Sequence, residues 1–273
     1  MNALARIVAT SLKMSLRDRQ AIFWNYGFPL GIFFVYGGIF GRFNLHGLTD
    51  SFSGLLCITT LGTSFFGVAI GLVRQRERGI LRRYRATPLK PWQLITSELI
   101  HGYLLLLTTV GMQLILGIII YDVRISGGLL ALFIFYTIGA FTFLTIGLLI
   151  SAFADNTRAA PAIAQVLFFP FMFLSGTAIQ LDMLPQTLQS VSNYIPATYF
   201  VAGLHDIIVN GNSLSNNLGN IAALVITLLV GFIFANMLFR WEPEQKIPLA
   251  VRLKVTGLLA ILLLIPYAIH SFF

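Results

Sequence analysis

Seven apolar runs free of Asp, Glu, Lys and Arg punctuate the chain, at residues 21–41, 51–73, 102–121, 131–153, 159–181, 218–239 and 255–273. A helix needs roughly 20 residues to cross a hydrocarbon core about 30 Å thick, and all seven runs lie in that range. Backbone groups in lipid must bond within their own segment, and the period-2 alternation of a membrane barrel is missing, so the pattern predicts helices. The fold class is an all-α membrane protein, a six-span polytopic helical bundle. The last run, which carries Pro266 and His270, adds an extra C-terminal span. Three segments follow: residues 1–20 as an amphipathic leader, 21–240 as the bundle, and 241–273 as a linker with the seventh run.

The polar connections carry patterns of their own. At 100° per residue, Leu4, Ile7, Val8 and Leu12 share one helical face, while Arg6, Lys13 and Arg17 lie opposite, as in a helix lying in a membrane interface. Residues 74–90 read RQRERGILRRYRATPLK, with seven positive charges and one negative. Among them Ile80, Leu81 and Tyr84 gather on one helical side. A short helix with a greasy side and a guanidinium side can dock in a groove on a soluble partner, since Arg bonds carboxylates bidentately and stacks on aromatics. Residues 181–217 hold no Lys or Arg, and Leu184, Leu188, Val191 and Ile195 share a face opposite Gln189, Ser192 and Asn193. That pattern predicts a short amphipathic or re-entrant helix.

Composition agrees with a membrane protein: 57% of residues are apolar and 10% charged, with mean hydropathy +0.83. The net charge of +8 suggests nucleic acid until the charges are placed. Sixteen of the 18 Lys and Arg residues fall before the first run and in alternate connections, leaving Arg42 and Arg124 on the other side. This asymmetry puts the amino terminus and the basic loops in the cytoplasm and removes the case for a nucleic-acid partner.

Chemistry of its own is not expected of the chain. Cys57 is the single cysteine, so no internal disulfide or cysteine metal cluster can form. Neither H-E-x-x-H nor G-x-S-x-G occurs, and without a Gly-Lys dipeptide there is no phosphate-cradling loop. His205-Asp206 is the adjacent titratable pair, read as a solvated patch. Glu98 and His101, at i and i+3 before the third run, read as a local pair. The alternative function is an ion-coupled secondary transporter, which ordinarily keeps a charge inside the membrane for that purpose; the seven runs carry none.

The stretch Glu77-Arg78-Gly79-Ile80-Leu81-Arg82-Arg83-Tyr84-Arg85-Ala86-Thr87-Pro88 resembles the E-R-G-T-L-E-x-L-x-x-T-P motif of type-2 ATP-binding-cassette (ABC) export permeases. Phe173-Leu174-Ser175-Gly176, Met183-Leu184-Pro185 and Ile195-Pro196-Ala197-Thr198-Tyr199 resemble that family's F-L-S-G, L-P and P-x-T-Y series. The order and the six spans agree over about residues 1–240.

The resemblance implies that the basic loop is a coupling helix inserted into a separate ATPase subunit, with Arg76, Glu77, Arg78, Gly79, Arg82, Arg83, Arg85 and Pro88 at the contact. It implies an outer gate or re-entrant region at Ser175, Gly176, Pro185, Pro196 and Tyr199. ATP and Mg would be bound by the partner subunit, with no cofactor on this chain. The permease would pair with a second copy or a paralogue, contact membrane lipids, and lie in the cytoplasmic membrane of a prokaryote. Phe34, Tyr36, Phe169 and Phe173 are candidate pathway aromatics for an amphiphilic drug, lipid or lipid-linked glycan; lipid-facing packing accounts for them equally well.

Overall fold

A helix that is apolar all round belongs inside a bundle. In the computed structural model, which describes residues 3–43 and 48–242, every residue from 52 to 70 is buried, so the second run is the axis of the fold. It lies in helix α3 (Thr49–Glu77). Before it come α1 (Ala3–Ser15) and α2 (Arg19–Phe40). After it come a short α4 (Ile80–Arg85), α5 (Pro91–Tyr121), α6 (Leu129–Phe153) and α7 (Ala159–Leu174). Two shorter helices, α8 (Gln186–Ser192) and α9 (Pro196–Ile208), lead to α10 (Leu218–Met237).

Five of the predicted spans are long and apolar enough to cross a membrane, and no strand occurs among the described residues. The fifth is shorter than its apolar run. It stops at Leu174 because Gly176 adopts φ +80° and the Ala178 amide turns back to the Met172 carbonyl at 3.1 Å. The 255–273 run lies outside the described residues.

The first two spans each contain a wide π-helical turn, Phe23–Gly27 and Thr63–Val68. The turns pack on each other, with Trp24 stacked on Phe66 at 4.3 Å between ring centroids. Pro29 has no N–H to give the Asn25 carbonyl. Thr109 of α5 donates to that carbonyl instead at 2.7 Å, and Gln113 donates to the Pro29 carbonyl at 2.9 Å while exchanging hydrogen bonds with Thr59. The carbonyls around Pro29 are therefore bonded by donors from a neighbouring helix, as hydrocarbon requires. On the opposite side of α3, a β-carbon at Gly147 would lie 2.3 Å from the Ser64 carbonyl oxygen, so α6 can approach this closely only with glycine there.

Helix α5 starts eleven residues before its apolar run and buries Glu98 and His101, at 2% and 3% exposure. Glu98 accepts from Ser11 at 2.9 Å and from Gln75 at 3.4 Å, and lies 3.1 Å from His101, which meets Ser15 at 2.9 Å. Ile7 and Val8 are buried as the amphipathic pattern predicts, yet the surface they cover includes α5. Glu98→Leu removes the acceptor shared by Ser11, Gln75 and His101 and should cost about 2–4 kcal/mol. The expected readout is a lower Tm with faster trypsin cleavage at Lys13 and Arg17; unchanged protection would show that α1 is held by other contacts.

Candidate functional site

At the basic end of the bundle α3 ends in an elbow. Gly79 takes φ +70°, a conformation unfavourable for residues with a β-carbon, and α4 starts immediately after it. The six residues of α4 turn Leu81 fully into the bundle, with Ile80 and Tyr84 half-buried beside it. Burial, and secondarily the Glu98 carboxylate, push the Tyr84 phenol above its ordinary pKa.

The greasy side of this helix is thus occupied by the chain's own core, and its outward side is the guanidinium side. Arg78, Arg82, Arg83 and Arg85 are exposed. Arg85 reaches Glu242 at 2.9 Å and Arg82 lies 3.8 Å from it; Arg78 and Arg83 make no ion pair among the described residues. The Thr87 amide and hydroxyl both bond the Tyr84 carbonyl, closing α4 before exposed Pro88 leads to α5.

Arg76 and Glu77 point elsewhere. Arg76 is 2% exposed and donates to the carbonyls of Ser151, at 2.9 Å, and Ala154. Arg240, also buried, donates to the carbonyls of Ala152 at 2.7 Å and Ala154 at 2.9 Å, and to Asp155 at 2.8 Å. The last carbonyls of α6 have no helical partner, and the negative end of the helix dipole is there, so two guanidiniums fit. Glu77 accepts from the Thr157 amide at 2.9 Å and its hydroxyl at 2.7 Å, fixing the turn between α6 and α7. Sequence reasoning missed Arg240, the arginine directly after the sixth run, whose only signal was its charge.

At the far end, the remaining motif residues share one neighbourhood. Ser175 is buried and its hydroxyl meets that of Thr177 across Gly176. Pro185 precedes α8, and Pro196 opens α9. Thr198 and Tyr199 then donate back to the Ser192 and Asn193 carbonyls at 2.7 and 2.6 Å, binding the start of α9 to the end of α8. The P-x-T-Y series is therefore a helix start with two side-chain clasps. Ten of the 13 residues of α9 are buried, and it packs against α3, α6, α7 and α10. Of the face expected along α8, Ile195 is buried whereas Leu188 and Val191 are exposed.

A cavity of about 790 Å³ opens here, lined by Tyr36, Phe40, Asp50, Ser175, Gly176, Asp182, His205 and Asp206. His205 and Asp206 thus stand in a cleft on α9. Tyr36 is the one pathway candidate lining it. Phe34 sits beside Phe33 at 5.2 Å and is half exposed, while Phe169 and Phe173 stack at 6.3 Å on the outer stripe of α7.

The pattern of the ABC-2 type transporter family matches residues 2–209, which covers both the elbow and the α7–α9 series. The chain belongs to that family. It is similar to a probable multidrug ABC transporter permease, YbhS of Escherichia coli K12, at 30% identity over 58% of this chain and 41% of that one. It is similar also to the putative transport permease YvfS of Bacillus subtilis strain 168, at 21% identity over 89% of this chain and 99% of the relative. ABC transporter G family member 20 of Dictyostelium discoideum matches at 25% over 72% of this chain and 27% of its own length. The chain spans about two fifths of the E. coli relative it matches. The apolar helices and the family together make this type-2 ABC permease a multi-pass integral membrane protein.

Arg76→Leu keeps the bulk of the side chain but leaves buried carbonyls at the end of α6 unpaired, a loss of about 2–4 kcal/mol. The purified permease should show a lower Tm, whereas Arg83→Ala, fully on the surface, should leave it unchanged. Equal Tm values for both variants would show that Arg76 does not hold the helix end.

Proposed function

We propose that this permease is the transmembrane subunit of an ATP-driven exporter, with the basic end of the bundle in the cytoplasm. The observation that carries the proposal is the elbow. Its outward face is arginine-rich, while its inward face is fixed to the core through Leu81 and, by way of Arg76 and Glu77, to α6 and to the α6–α7 turn. Such a part can be gripped by a separate ATPase chain and can transmit displacement into three helices. Arg78, Arg82, Arg83 and Arg85 supply the grip, Gly79 the bend and Pro88 its end. ATP and Mg belong to the ATPase. Its nucleotide-dependent closure would favour one of two permease states over the other, which is alternating access by differential binding.

The outer stripe of α7 supports pairing of two permease copies. Ala162, Gln165, Val166, Phe169 and Phe173 are exposed at helical spacing, and Gln165 makes no hydrogen bond among the described residues. A lipid-facing amide is unfavourable, and a second copy of the helix would give it a partner. The α7–α9 region, with Ser175, Gly176, Pro185, Pro196 and Tyr199, would close the outer end of the path. An amphiphilic or lipid-like cargo fits the cavity wall at Tyr36, and Phe169 and Phe173 go to the pairing stripe. The ion-coupled alternative would draw on Glu98 and His101, but both are engaged by Ser11, Ser15 and Gln75.

Two outcomes test this reading. Arg82→Glu combined with Arg83→Glu should abolish co-purification of an ATPase and lower permease-stimulated hydrolysis at least tenfold without lowering the Tm of the permease. Transport in ATP-free vesicles driven by a proton gradient would overturn the proposal. For the pairing, Phe169→Cys should cross-link under oxidation to twice the 30.2 kDa chain mass, since the native Cys57 is buried. Absence of cross-linking at Val166→Cys, Phe169→Cys and Phe173→Cys would remove α7 from the interface.

A further inference from the structure

A second cavity, of about 610 Å³, opens at the basic end between the end of α1, the start of α2 and the adjoining part of α3. Its mouth carries Arg17, Arg19, Arg74 and Arg78. Two carboxylates also line it, and both are already engaged. Asp18 caps α2 through the Gln20 and Ala21 amides and pairs with Arg74; Glu98 is held by Ser11, Gln75 and His101. Arg17, Arg19 and Arg78 make no ion pair among the described residues. The mouth is thus a ring of guanidiniums with a surplus of positive charge.

The inner end is of another character. It is bounded by Phe66, Gly67, Val68 and Gly71. Phe66 lies eight residues from Arg74 along α3, so this wall reaches about 12 Å from the charged rim into the bundle. At Gly71 a β-carbon would meet nothing within 4 Å, which leaves the wall bare. A cationic rim above an apolar slot matches a phosphate headgroup above the first part of an acyl chain. Guanidinium binds phosphate bidentately, and a cavity of this volume falls in the range that accommodates a discrete small ligand.

We propose that this cavity is a binding site for one anionic phospholipid of the leaflet at the basic end, with its phosphate held by Arg17 and Arg19 and its chain laid against Gly71. The site wedges between α1 and the π turn of α3. Lipid bound there ties the leader to the bundle, separately from any ATPase.

Native mass spectrometry of the full-length permease in detergent, titrated with phosphatidylglycerol and with phosphatidylcholine, tests the proposal. The expected result is one retained phosphatidylglycerol per chain, with at least tenfold weaker retention of phosphatidylcholine. Arg17→Gln combined with Arg19→Gln should weaken phosphatidylglycerol tenfold or more, and Gly71→Leu, whose β-carbon would meet nothing within 4 Å, should do the same by filling the slot. Equal retention of the two lipids, or unchanged retention in both variants, would overturn it. Glycerol phosphate without chains competing as well as the lipid would also overturn it, reassigning the mouth to a free phosphate. Because the readout is binding to the permease alone, it stands or falls independently of ATPase coupling.

Discussion

The basic end of this permease depends on how the last turn of α6 is closed. A helix ending inside a bundle leaves carbonyls with neither water nor the next turn to satisfy them. Here Arg76 comes from α3 and Arg240 from beyond α10, and both place guanidinium groups on the carbonyls of residues 151–154. Burying two cations is costly unless each is bonded and opposed by negative charge. The carbonyl dipoles, Asp155 and nearby Glu77 provide that opposition. Three helices are thereby fastened at one point, one residue before the elbow leaves α3.

That fastening decides what the elbow can do. A loop hung from flexible chain would absorb a push, whereas α4 is seated by Leu81 and its root is clamped by Arg76 and Glu77. Displacement of the guanidinium face bears directly on α3, which packs against α2, α4, α5, α6, α7 and α9. The same logic runs through the membrane interior. Thr109 and Gln113 supply donors to the carbonyls around Pro29, and Thr60 bonds Tyr136 at 2.9 Å across to α6. Thr60, Thr109, Gln113 and Tyr136 serve backbone and neighbours within the chain.

Much of this was legible in the sequence. Helix type, five of the long apolar segments, the basic elbow and the family motifs follow from hydropathy, charge asymmetry and residue order. The direction in which particular side chains face was less so. Ile80, Leu81 and Tyr84 could be placed on one side of a helix, but spacing alone does not say whether that side meets a partner or the chain's own core. Arg76 and Glu77 lie within the same basic string as Arg78 and Arg82, and charge counting treats them alike. Their carbonyl and hydroxyl partners are about 75 to 80 residues away along the chain, beyond the reach of local pattern. Spacing alone pairs Glu98 with His101, while its bond to Ser11 across 87 residues is set by the fold. Helix α7 shows the converse: its apolar composition continues to residue 181, and backbone conformation at Gly176 cuts it short.

The paired wide turns at Phe23–Gly27 and Thr63–Val68 have a rotational consequence. Each accommodates a surplus residue in its helix, and one residue corresponds to about 100° of azimuth. Were such a turn to tighten to ordinary α geometry, everything beyond it would swivel by a comparable angle relative to what precedes it. The segments on either side of each bulge are therefore set in phase by the bulge itself. With Trp24 lying on Phe66, neither helix can rewind without unstacking from the other, so the two act as meshed gears.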